Sequence, residues 1–211
     1  ALPICESLTE LPLIPVPPER GREPGVVVLG RFQPFHRGHA LMVEAAENWR
    51  CKNLPTNKLI IAIGSSNRSQ SMTNPWSWEE RVEMIQIWLD SAGIDSAEII
   101  AIPDIDDPSN WVEHASQYHG NAGVFFTSDV ASANLYETAG WQVELTALEA
   151  RDQYEGWRVR GTAMMMSTVT DSDAILMVLS PSIPKSVVSH LIEIDGLRRL
   201  AFLGDGGEPV G

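Results

Sequence analysis

Strand-like and helix-like runs alternate from residue 26 onward, and this alternation constrains the fold more than any other feature of the chain. The strand-like runs are short, rich in Val, Ile or Phe and nearly free of charge, which is typical of strands buried in a parallel sheet. They lie at residues 26–29, 58–64, 98–102, 123–127 and 142–145, and the helix-like runs between them lie at 40–49, 78–91, 111–119 and 132–139. The pattern predicts an α/β fold, a doubly wound (Rossmann-like) parallel sheet with helices on both faces.

The two ends of the chain differ from this alternating region. Residues 1–24 contain six prolines, which break regular elements and predict an N-terminal tail on the surface or in disorder, or else a proline-motif docking segment. Residues 25–203 form the predicted domain. Its C-terminal part, about residues 161–200, has helix-like runs, and these lie at residues 162–167, 171–179 and 184–194.

Charge and cysteine content exclude several classes of protein. The net charge is −13 with only 15 Lys and Arg, so we expect no binding to long nucleic acids, which depends on basic side chains. The longest apolar runs are far shorter than the ~20 residues that a membrane span needs, and no signal-peptide pattern opens the chain. Cys5 and Cys51 have no metal-type spacing and fit a reducing compartment, so we expect a cytoplasmic protein.

The turn from Gly30 to His39, which reads Gly-Arg-Phe-Gln-Pro-Phe-His-Arg-Gly-His, carries the strongest chemical signal. Gly30 permits a tight exit from the first strand, and Gly38 lets the backbone approach a phosphate closely. His36 and His39 can each donate a ring N–H to phosphate oxygens, and Arg31 adds a cationic fork. The N-terminus of the following helix also favours an anion. No Asp, Cys or third His lies nearby in sequence to complete a zinc site, so the turn predicts phosphate binding.

This turn resembles the signature of the adenylyltransferase branch of the nucleotidyltransferase superfamily, and more narrowly that of archaeal-type nicotinamide-mononucleotide adenylyltransferases. The resemblance continues in order and with similar spacing over about residues 26–200, and the tail at 1–24 lies outside it. The further matching stretches are Ile63-Gly64-Ser65-Ser66, Asn74-Pro75-Trp76-Ser77-Trp78-Glu79-Glu80-Arg81, Pro103-Asp104-Ile105, Asn110-Trp111-Val112, Ile183-Pro184-Lys185-Ser186-Val187 and Ile192-Glu193-Ile194-Asp195-Gly196.

The resemblance implies an enzyme that moves AMP from ATP to nicotinamide mononucleotide and forms NAD and pyrophosphate. The attacking phosphate is already an anion, so catalysis reduces to placing two anions in line and offsetting the charge that develops at the α-phosphate. Mg²⁺ would accompany ATP and keep several waters, without metal ligands from protein side chains. By analogy, relatives of this shape often assemble, which makes a homo-oligomer a further expectation.

The resemblance also assigns roles to individual residues. His36 and His39 would bind the ATP phosphates, with His39 nearest the transferred phosphoryl group, and Arg31 would bridge phosphates of one or both substrates. Trp111 would stack on the nicotinamide ring, the alternative being that it packs a helix. The other ATP candidates are Gly30, Phe32, Gln33, Gly38, Ser128, Asp129, Arg160, Gly161 and Thr162, and the other nicotinamide-nucleotide candidates are Arg68, Asp104 and Asn110.

One motif departs from the family pattern. The family usually carries Ser-Gly-Thr-x-x-Arg at the start of a helix beside the ATP phosphates, and we match it to the run from Arg160 to Met165. Gly161 and Thr162 would keep the glycine turn and a hydroxyl cap. Met165 would replace the arginine, and a methionine cannot hold phosphate oxygens. We therefore expect Arg160, or Arg158, to supply the missing charge.

Two other functions remain as alternatives. The first is a sister adenylyl- or cytidylyltransferase with another phosphate acceptor, such as flavin mononucleotide or phosphopantetheine. The second is a nucleotide-binding sensor whose catalysis has weakened, which Met165 alone favours. Trp111 and the Asn-Pro-Trp stretch at Asn74 favour the nicotinamide substrate.

Overall fold

A computed structural model describes residues 11–147 and 154–203. Within these residues a single parallel sheet has the strand order β3-β2-β1-β4-β5. Its strands are β1 (Gly25–Gly30), β2 (Lys58–Ile63), β3 (Ala97–Ala101), β4 (Gly123–Thr127) and β5 (Gln142–Leu145). The predicted doubly wound α/β fold is confirmed, and each predicted strand is present with its bounds changed by no more than one residue.

Helices connect the strands and continue after the last of them. They are α1 (Arg37–Asn53), α2 (Trp78–Ala92), α3 (Trp111–His119), α4 (Val130–Thr138), α5 (Gly156–Met165), α6 (Ser172–Leu179) and α7 (Lys185–Glu193), followed by a 3₁₀ turn at Arg198–Ala201. Side chains that cap the helix N-termini stabilise the start of several of these helices. The predicted capping box is present, because Ser77 Oγ accepts from Glu80 N at 3.3 Å and Glu80 Oε2 accepts from Ser77 N at 2.8 Å.

α5 begins six residues earlier than predicted. The sequence pattern placed a helix at 162–167 with a glycine turn before it, but Glu155 is the N-cap and the helix is already formed from Gly156. The Thr162 hydroxyl donates to a carbonyl of the preceding helical turn, 3.1 Å away. Gly161 and Thr162 therefore lie inside α5, and the prediction that they form a turn and a cap at its N-terminus is wrong.

The sheet buries both of its faces, which explains the continuous apolar runs of its central strands. Val26 and Val28 of β1 lie in the cluster formed with α1, α2 and the C-terminal helices. Val27 points to the opposite face and packs with α3 and α4. Side chains alternate between the faces because successive Cβ atoms of a strand point in opposite directions.

The strand order places a topological switch point between β1 and β4. After β1 the chain builds outward through β2 to β3 and then returns to β4 on the other side of β1. Connections therefore leave β1 and β4 toward opposite faces, and a crevice opens outside the carboxyl ends of these two strands. Ligands of open α/β sheets bind in such crevices.

The described part of the N-terminal tail lies on the surface of the domain. The carbonyl of Ile14 accepts from Ser66 Oγ at 2.7 Å, and the carbonyl of Pro15 accepts from Tyr118 Oη at 3.0 Å. Farther along, Arg22 pairs with Glu98 of β3. The first ten residues of the predicted tail lie outside the described residues. Across the described ranges, no helix is both long and apolar enough to cross a membrane.

Candidate active site

The turn after β1 has a backbone that depends on its small residues. Phe32 has a φ of +52°, and its ring lies beneath Gly30, where an added Cβ would come within 3.0 Å of the ring. At Gly38 an added Cβ would meet the Tyr154 Cβ at 2.8 Å and the His36 ring at 3.1 Å. Gly30 therefore leaves room for the Phe32 ring, and Gly38 lets the start of α1 lie close to the His36 ring and to Tyr154.

His36 and His39 form a stacked pair at the start of α1. Their ring centroids are 3.6 Å apart with an angle of 22° between the planes, and His36 N donates to His39 Nδ1 at 3.3 Å. The His36 side chain is buried, with 5% of its surface exposed, and its Nδ1 has no hydrogen-bond partner within the described residues. A buried polar atom without a partner beside an open cavity suits a ligand that supplies one.

Burial changes the protonation of both histidines. Desolvation, with a smaller contribution from the positive charge of Arg160, lowers the pKa of His36 to about 4. The pKa of His39 lies well below its usual value because of desolvation and the neighbouring His36, although a hydrogen bond involving the Pro34 carbonyl opposes the shift. At neutral pH both rings are therefore neutral in the free protein, and an anionic ligand would raise both pKa values.

A cavity of about 350 Å³ occupies the crevice between β1 and β4. That volume is within the range of small-molecule sites, about 300–1,000 Å³. Its wall comes from the histidine turn, the first residues of α1, the end of β4 and the start of α5. The lining residues from the turn and α1 are Gly30, Phe32, His36, Gly38, His39, Leu41 and Met42, and those from the other two elements include Ser128, Asp129, Ser132, Tyr154, Glu155 and Gly156.

Asp129 contributes to this wall and also caps a helix. Its Oδ2 accepts from the Ser132 amide and hydroxyl, both at 2.8 Å, at the N-terminus of α4. Ser128 lies beside it at the end of β4. Asp129 therefore both caps α4 and lines the cavity. Ser128 and Asp129, both predicted to bind ATP, line this cavity.

A second cavity, also about 350 Å³, brings together three of the four residues predicted to bind the nicotinamide nucleotide. Arg68, Asp104 and Trp111 all line it. Arg68 Nε donates to Asp104 Oδ2 at 2.7 Å, and its Nη2 pairs with Asp106. These two carboxylates raise the pKa of Arg68, Asp106 contributing most.

Asn110 is the member of the predicted set that the structure leaves outside this cavity. It is exposed at the N-terminus of α3, and its Nδ2 donates to Asp107 Oδ2 at 2.6 Å. The side chain therefore stabilises the loop before α3. The predicted direct contact between Asn110 and the nucleotide has no support from its position.

Comparison with known proteins agrees with this geometry. The model of the cytidylyltransferase-like family matches residues 27–179. Proteins named nicotinamide-nucleotide adenylyltransferase are similar over most of their length: that of Saccharolobus solfataricus is 32% identical over 81% of this chain and 91% of its own, and that of Archaeoglobus fulgidus is 34% identical over 82% and 92%. This chain belongs to the nicotinamide-nucleotide adenylyltransferases, within the cytidylyltransferase-like family.

A solved structure supports the fold. A bifunctional NMN adenylyltransferase/ADP ribose pyrophosphatase from Francisella tularensis, crystallised with AMP and a manganese ion, superposes with a TM-score of 0.57 at 19% identity. The match covers 84% of this chain but 52% of that one. At this identity the likeness concerns the fold, and this chain spans about half the length of the bifunctional protein.

Gly156 lines the cavity, whereas Gly161 and Thr162, the predicted residues of the motif, are not among the lining residues. Gly156 lies at the start of α5 and lines the cavity, and four residues later, at the spacing of the motif, stands Arg160. Met165 is 68% exposed at the other end of α5. The run from Glu155 to Arg160 carries a glycine and an arginine at the spacing of the motif, whereas the run from Arg160 to Met165 carries its glycine and threonine.

Arg160 carries a charge next to the histidine turn. Its Nη1 donates to the Gln33 carbonyl at 2.9 Å, and burial together with the charge of Arg31 lowers its pKa. The mutual effects on pKa place Arg31, His36 and Arg160 in one electrostatic neighbourhood. Arg158, the other candidate, is exposed and pairs with Glu155 at 3.1 Å, so Arg160 is the better supported of the two.

Three residues at the start of α5 line the cavity without having been predicted from the sequence. Glu155 lines the cavity with its neighbours Tyr154 and Gly156, three residues that our site prediction missed. Gly156, followed at four residues by Arg160, was the sequence signal that could have identified them.

Gln33 differs most from its predicted role. Its side chain does not line the cavity at the histidine turn. It points instead to the loop before α2, where Nε2 donates to Asn74 Oδ1 and, at 2.7 Å, to the Trp76 carbonyl. Oε1 accepts from Trp76 N at 3.0 Å. The amide of Gln33 is fully used in these contacts, so the prediction that this side chain binds ATP is not supported.

Proposed function

We propose that this chain transfers the AMP moiety of ATP to the phosphate of nicotinamide mononucleotide, with NAD and pyrophosphate as products. The observation that carries the proposal is the pairing of two cavities at the carboxyl edge of one sheet. One cavity is lined by the stacked histidines and the α5 N-terminus, and the other by Trp111 and Arg68. Identity of 32–34% to named nicotinamide-nucleotide adenylyltransferases supports the same reaction.

The first cavity suits the triphosphate of ATP. The neutral ring of His36, whose Nδ1 has no partner among the described residues, can donate one hydrogen bond, with His39 stacked against it. Arg160 and Arg31 bring positive charge to the same region. The N-terminus of α5 at Gly156 adds backbone N–H groups and the positive end of the helix dipole. Together these groups stabilise the charge that develops around the α-phosphorus.

The second cavity suits the nicotinamide nucleotide. The indole of Trp111 can stack on the pyridinium ring, and the carboxylates of Asp104 and Asp106 complement its positive charge. In our proposal Arg68 exchanges part of its carboxylate contacts for the acceptor phosphate, which it can bind with two parallel hydrogen bonds.

The reaction is a single in-line displacement. An oxygen of the acceptor phosphate attacks the α-phosphorus, and the bond from that phosphorus to the bridging oxygen breaks, so pyrophosphate leaves with the electron pair. The nucleophile is already deprotonated at neutral pH, and no general base is needed. The chain's residues hold both anions in line and exclude water from the α-phosphate.

A divalent cation, Mg²⁺ in our proposal, offsets the charge of the triphosphate. The described residues contain no cluster of three or more acidic, His or Cys side chains that could hold a metal ion. The ion would therefore be bound mainly by phosphate oxygens and water, as is usual for Mg²⁺ with ATP. Glu155 and Asp129 are lining carboxylates that could accept hydrogen bonds from its waters.

An acceptor panel tests the function. The protein is incubated with Mg²⁺, ATP and one acceptor at a time, chosen from nicotinamide mononucleotide, nicotinic-acid mononucleotide, flavin mononucleotide and phosphopantetheine, and pyrophosphate and dinucleotide are measured. We expect NAD from nicotinamide mononucleotide. Product from flavin mononucleotide or phosphopantetheine alone would replace the proposed acceptor, and ATP binding without any product would indicate a sensor.

A further inference from the structure

A buried chain of amide hydrogen bonds joins the turn at the ATP cavity to the loop at the acceptor cavity. Gln33, 3% exposed, holds both the Asn74 side chain and the Trp76 backbone. Asn74, 6% exposed, then donates from Nδ2 to the carbonyl of Arg68 at 3.0 Å and to that of Ser69 at 3.4 Å. The chain thus ends on the backbone of the arginine that lines the acceptor cavity.

The other end of this chain reaches the phosphate side of the site. The Gln33 backbone carbonyl accepts from Arg160 Nη1 at 2.9 Å. Gln33 therefore contacts Arg160 of α5 with its backbone and the loop at residues 68–76 with its side chain. We call this loop, which carries Arg68, the acceptor loop. Since the two substrates must be aligned within a fraction of an ångström for in-line attack, a rigid link between their binding elements has a direct use.

We propose that Gln33 is a positioning residue that sets the place of Arg68 through Asn74, and thereby couples the ATP turn to the acceptor cavity. This inference rests on the proposed function. Gln33 touches neither substrate in this account. It acts by fixing the loop from which the Arg68 guanidinium reaches Asp104 and the acceptor phosphate.

The chemistry of the link requires an amide. Gln33 donates twice from Nε2 and accepts once at Oε1, and only a primary amide does both. A methionine of similar volume removes all three contacts. A glutamate keeps the acceptor, but when ionised it faces the Asn74 and Trp76 oxygens without a proton to donate, and it regains one donor when it is protonated.

The experiment measures steady-state kinetics of the full chain with ATP and nicotinamide mononucleotide. We expect Gln33→Met to raise the acceptor KM about tenfold or more, with the KM for ATP changed less than about twofold, because a displaced Arg68 weakens acceptor binding. Gln33→Glu should show the same defect at pH 8 and a smaller one, relative to wild type, as the pH falls toward 6.

Gln70→Met is the matched control. Gln70 is exposed in the same loop and donates to the Pro75 carbonyl at 3.1 Å, so its substitution removes a hydrogen bond from the loop without breaking the link to the ATP turn. We expect both KM values to remain within about twofold of wild type. An equal acceptor defect in this variant would contradict a specific role for Gln33.

A double-mutant cycle separates positioning through Arg68 from general loosening. If Gln33 acts through Arg68, adding Gln33→Met to Arg68→Ala should cause little further rise in the acceptor KM. Fully additive effects, or equal rises in both KM values for Gln33→Met, would overturn the inference while leaving the proposed function intact.

Hydrogen exchange provides a readout that needs no turnover. Gln33→Met should accelerate amide exchange at residues 68–76 and leave that of α3 unchanged. Unchanged exchange in this loop would contradict the inference even if the wild-type chain used a different acceptor. Absence of NAD formation by the wild type, with faster loop exchange in the variant, would instead contradict the proposed function and retain the coupling.

Discussion

At the scale of single residues, the site relies on neutral donors beside fixed positive charges. His36 and His39 are held neutral mainly by burial, and Arg160 lies beside the turn, where its Nη1 donates to the Gln33 carbonyl. The types of residue in the histidine turn could be recognised from the sequence. The direction of the Gln33 side chain could not be predicted from the sequence, because its partners are 41 and 43 residues away.

The arginine of α5 gives a prediction with a matched control. Arg160→Ala should raise the KM for ATP about tenfold or more, since it removes a partly buried charge from the phosphate region. Arg158→Ala should change it less than about twofold, because Arg158 is exposed and pairs with Glu155. Met165→Arg should not improve it either. Steady-state kinetics with ATP varied measure all three, and a larger effect at Arg158 would contradict the choice of Arg160 as the arginine that binds ATP.

Trp111 gives a second prediction at this scale. Trp111→Ala should raise the KM for nicotinamide mononucleotide about tenfold, since stacking on a cationic ring contributes about 1–2 kcal/mol. Trp111→Phe, which keeps a smaller aromatic face, should fall between the alanine variant and wild type. The KM for ATP in the same variants is the internal control. If both KM values rise together, Trp111 packs α3 and does not bind the ring.

At the scale of elements, the strands and most helices could be predicted from the local sequence pattern, whereas the start of α5 could not. Hydrophobic periodicity and the capping box at Ser77 placed β1 to β5 and α2 within a residue. The start of α5 was misplaced because a glycine–threonine pair at Gly161 matched the expected motif by type. Glu155 is the N-cap of α5 and makes no side-chain capping hydrogen bond, so the usual Ser, Thr, Asp or Asn signal for the start of a helix is absent at this position.

The contact between α3 and α4 predicts how stability depends on pH. His119 is fully buried, and its Nε2 lies 2.9 Å from the Tyr136 hydroxyl. Burial lowers its pKa from 6.5 to about 4. Between these pH values the unfolded state binds more protons than the folded state. The contribution of neutral, buried His119 to stability is therefore fully present above pH 6.5 and is lost as the pH falls toward 4. His36 contributes in the same direction.

Thermal unfolding at several pH values measures this dependence. His119→Gln should give a shallower loss of stability between pH 6.5 and 4 than wild type. Tyr136→Phe is the control, since it removes the hydrogen bond and keeps the titrating group, and it should lower stability while preserving the acid slope. A slope unchanged in His119→Gln would refute the assignment.

Arg81 joins three elements beneath the site and gives a prediction for stability. It is fully buried, and it donates to the carbonyls of Arg31, Gly64, Ser65 and Ser77 at 2.8–3.1 Å, while burial lowers its pKa to about 10.

Lysine at position 81 cannot bridge these four carbonyls, because an ammonium group lacks the fork of a guanidinium. Arg81→Lys should lower the free energy of unfolding by about 2–4 kcal/mol, measured by urea denaturation. Arg198→Lys, at an exposed position, should change it by less than about 0.5 kcal/mol. Equal small effects at both positions would contradict the structural role of Arg81.

At the scale of the whole molecule, distant parts of the chain meet around the acceptor loop. Trp76, fully buried, donates from Nε1 to the Gly196 carbonyl at 3.1 Å. Arg199 pairs with Glu80 of α2 through both guanidinium nitrogens. The C-terminal segment therefore braces the loop that Gln33 holds from the other side. Sequence periodicity indicated the C-terminal helices, but it had no means of showing which loop they contact.

We propose above that this chain moves the adenylyl group of ATP directly onto nicotinamide mononucleotide at the His36–His39 turn. The most direct measurement follows a label on the α-phosphate of ATP into NAD, for wild type and for His39→Ala. The account predicts labelled NAD from the wild type and a turnover at least about 100-fold lower in the variant, with the acceptor KM little changed. Unlabelled NAD, no NAD, or full turnover in His39→Ala would contradict it.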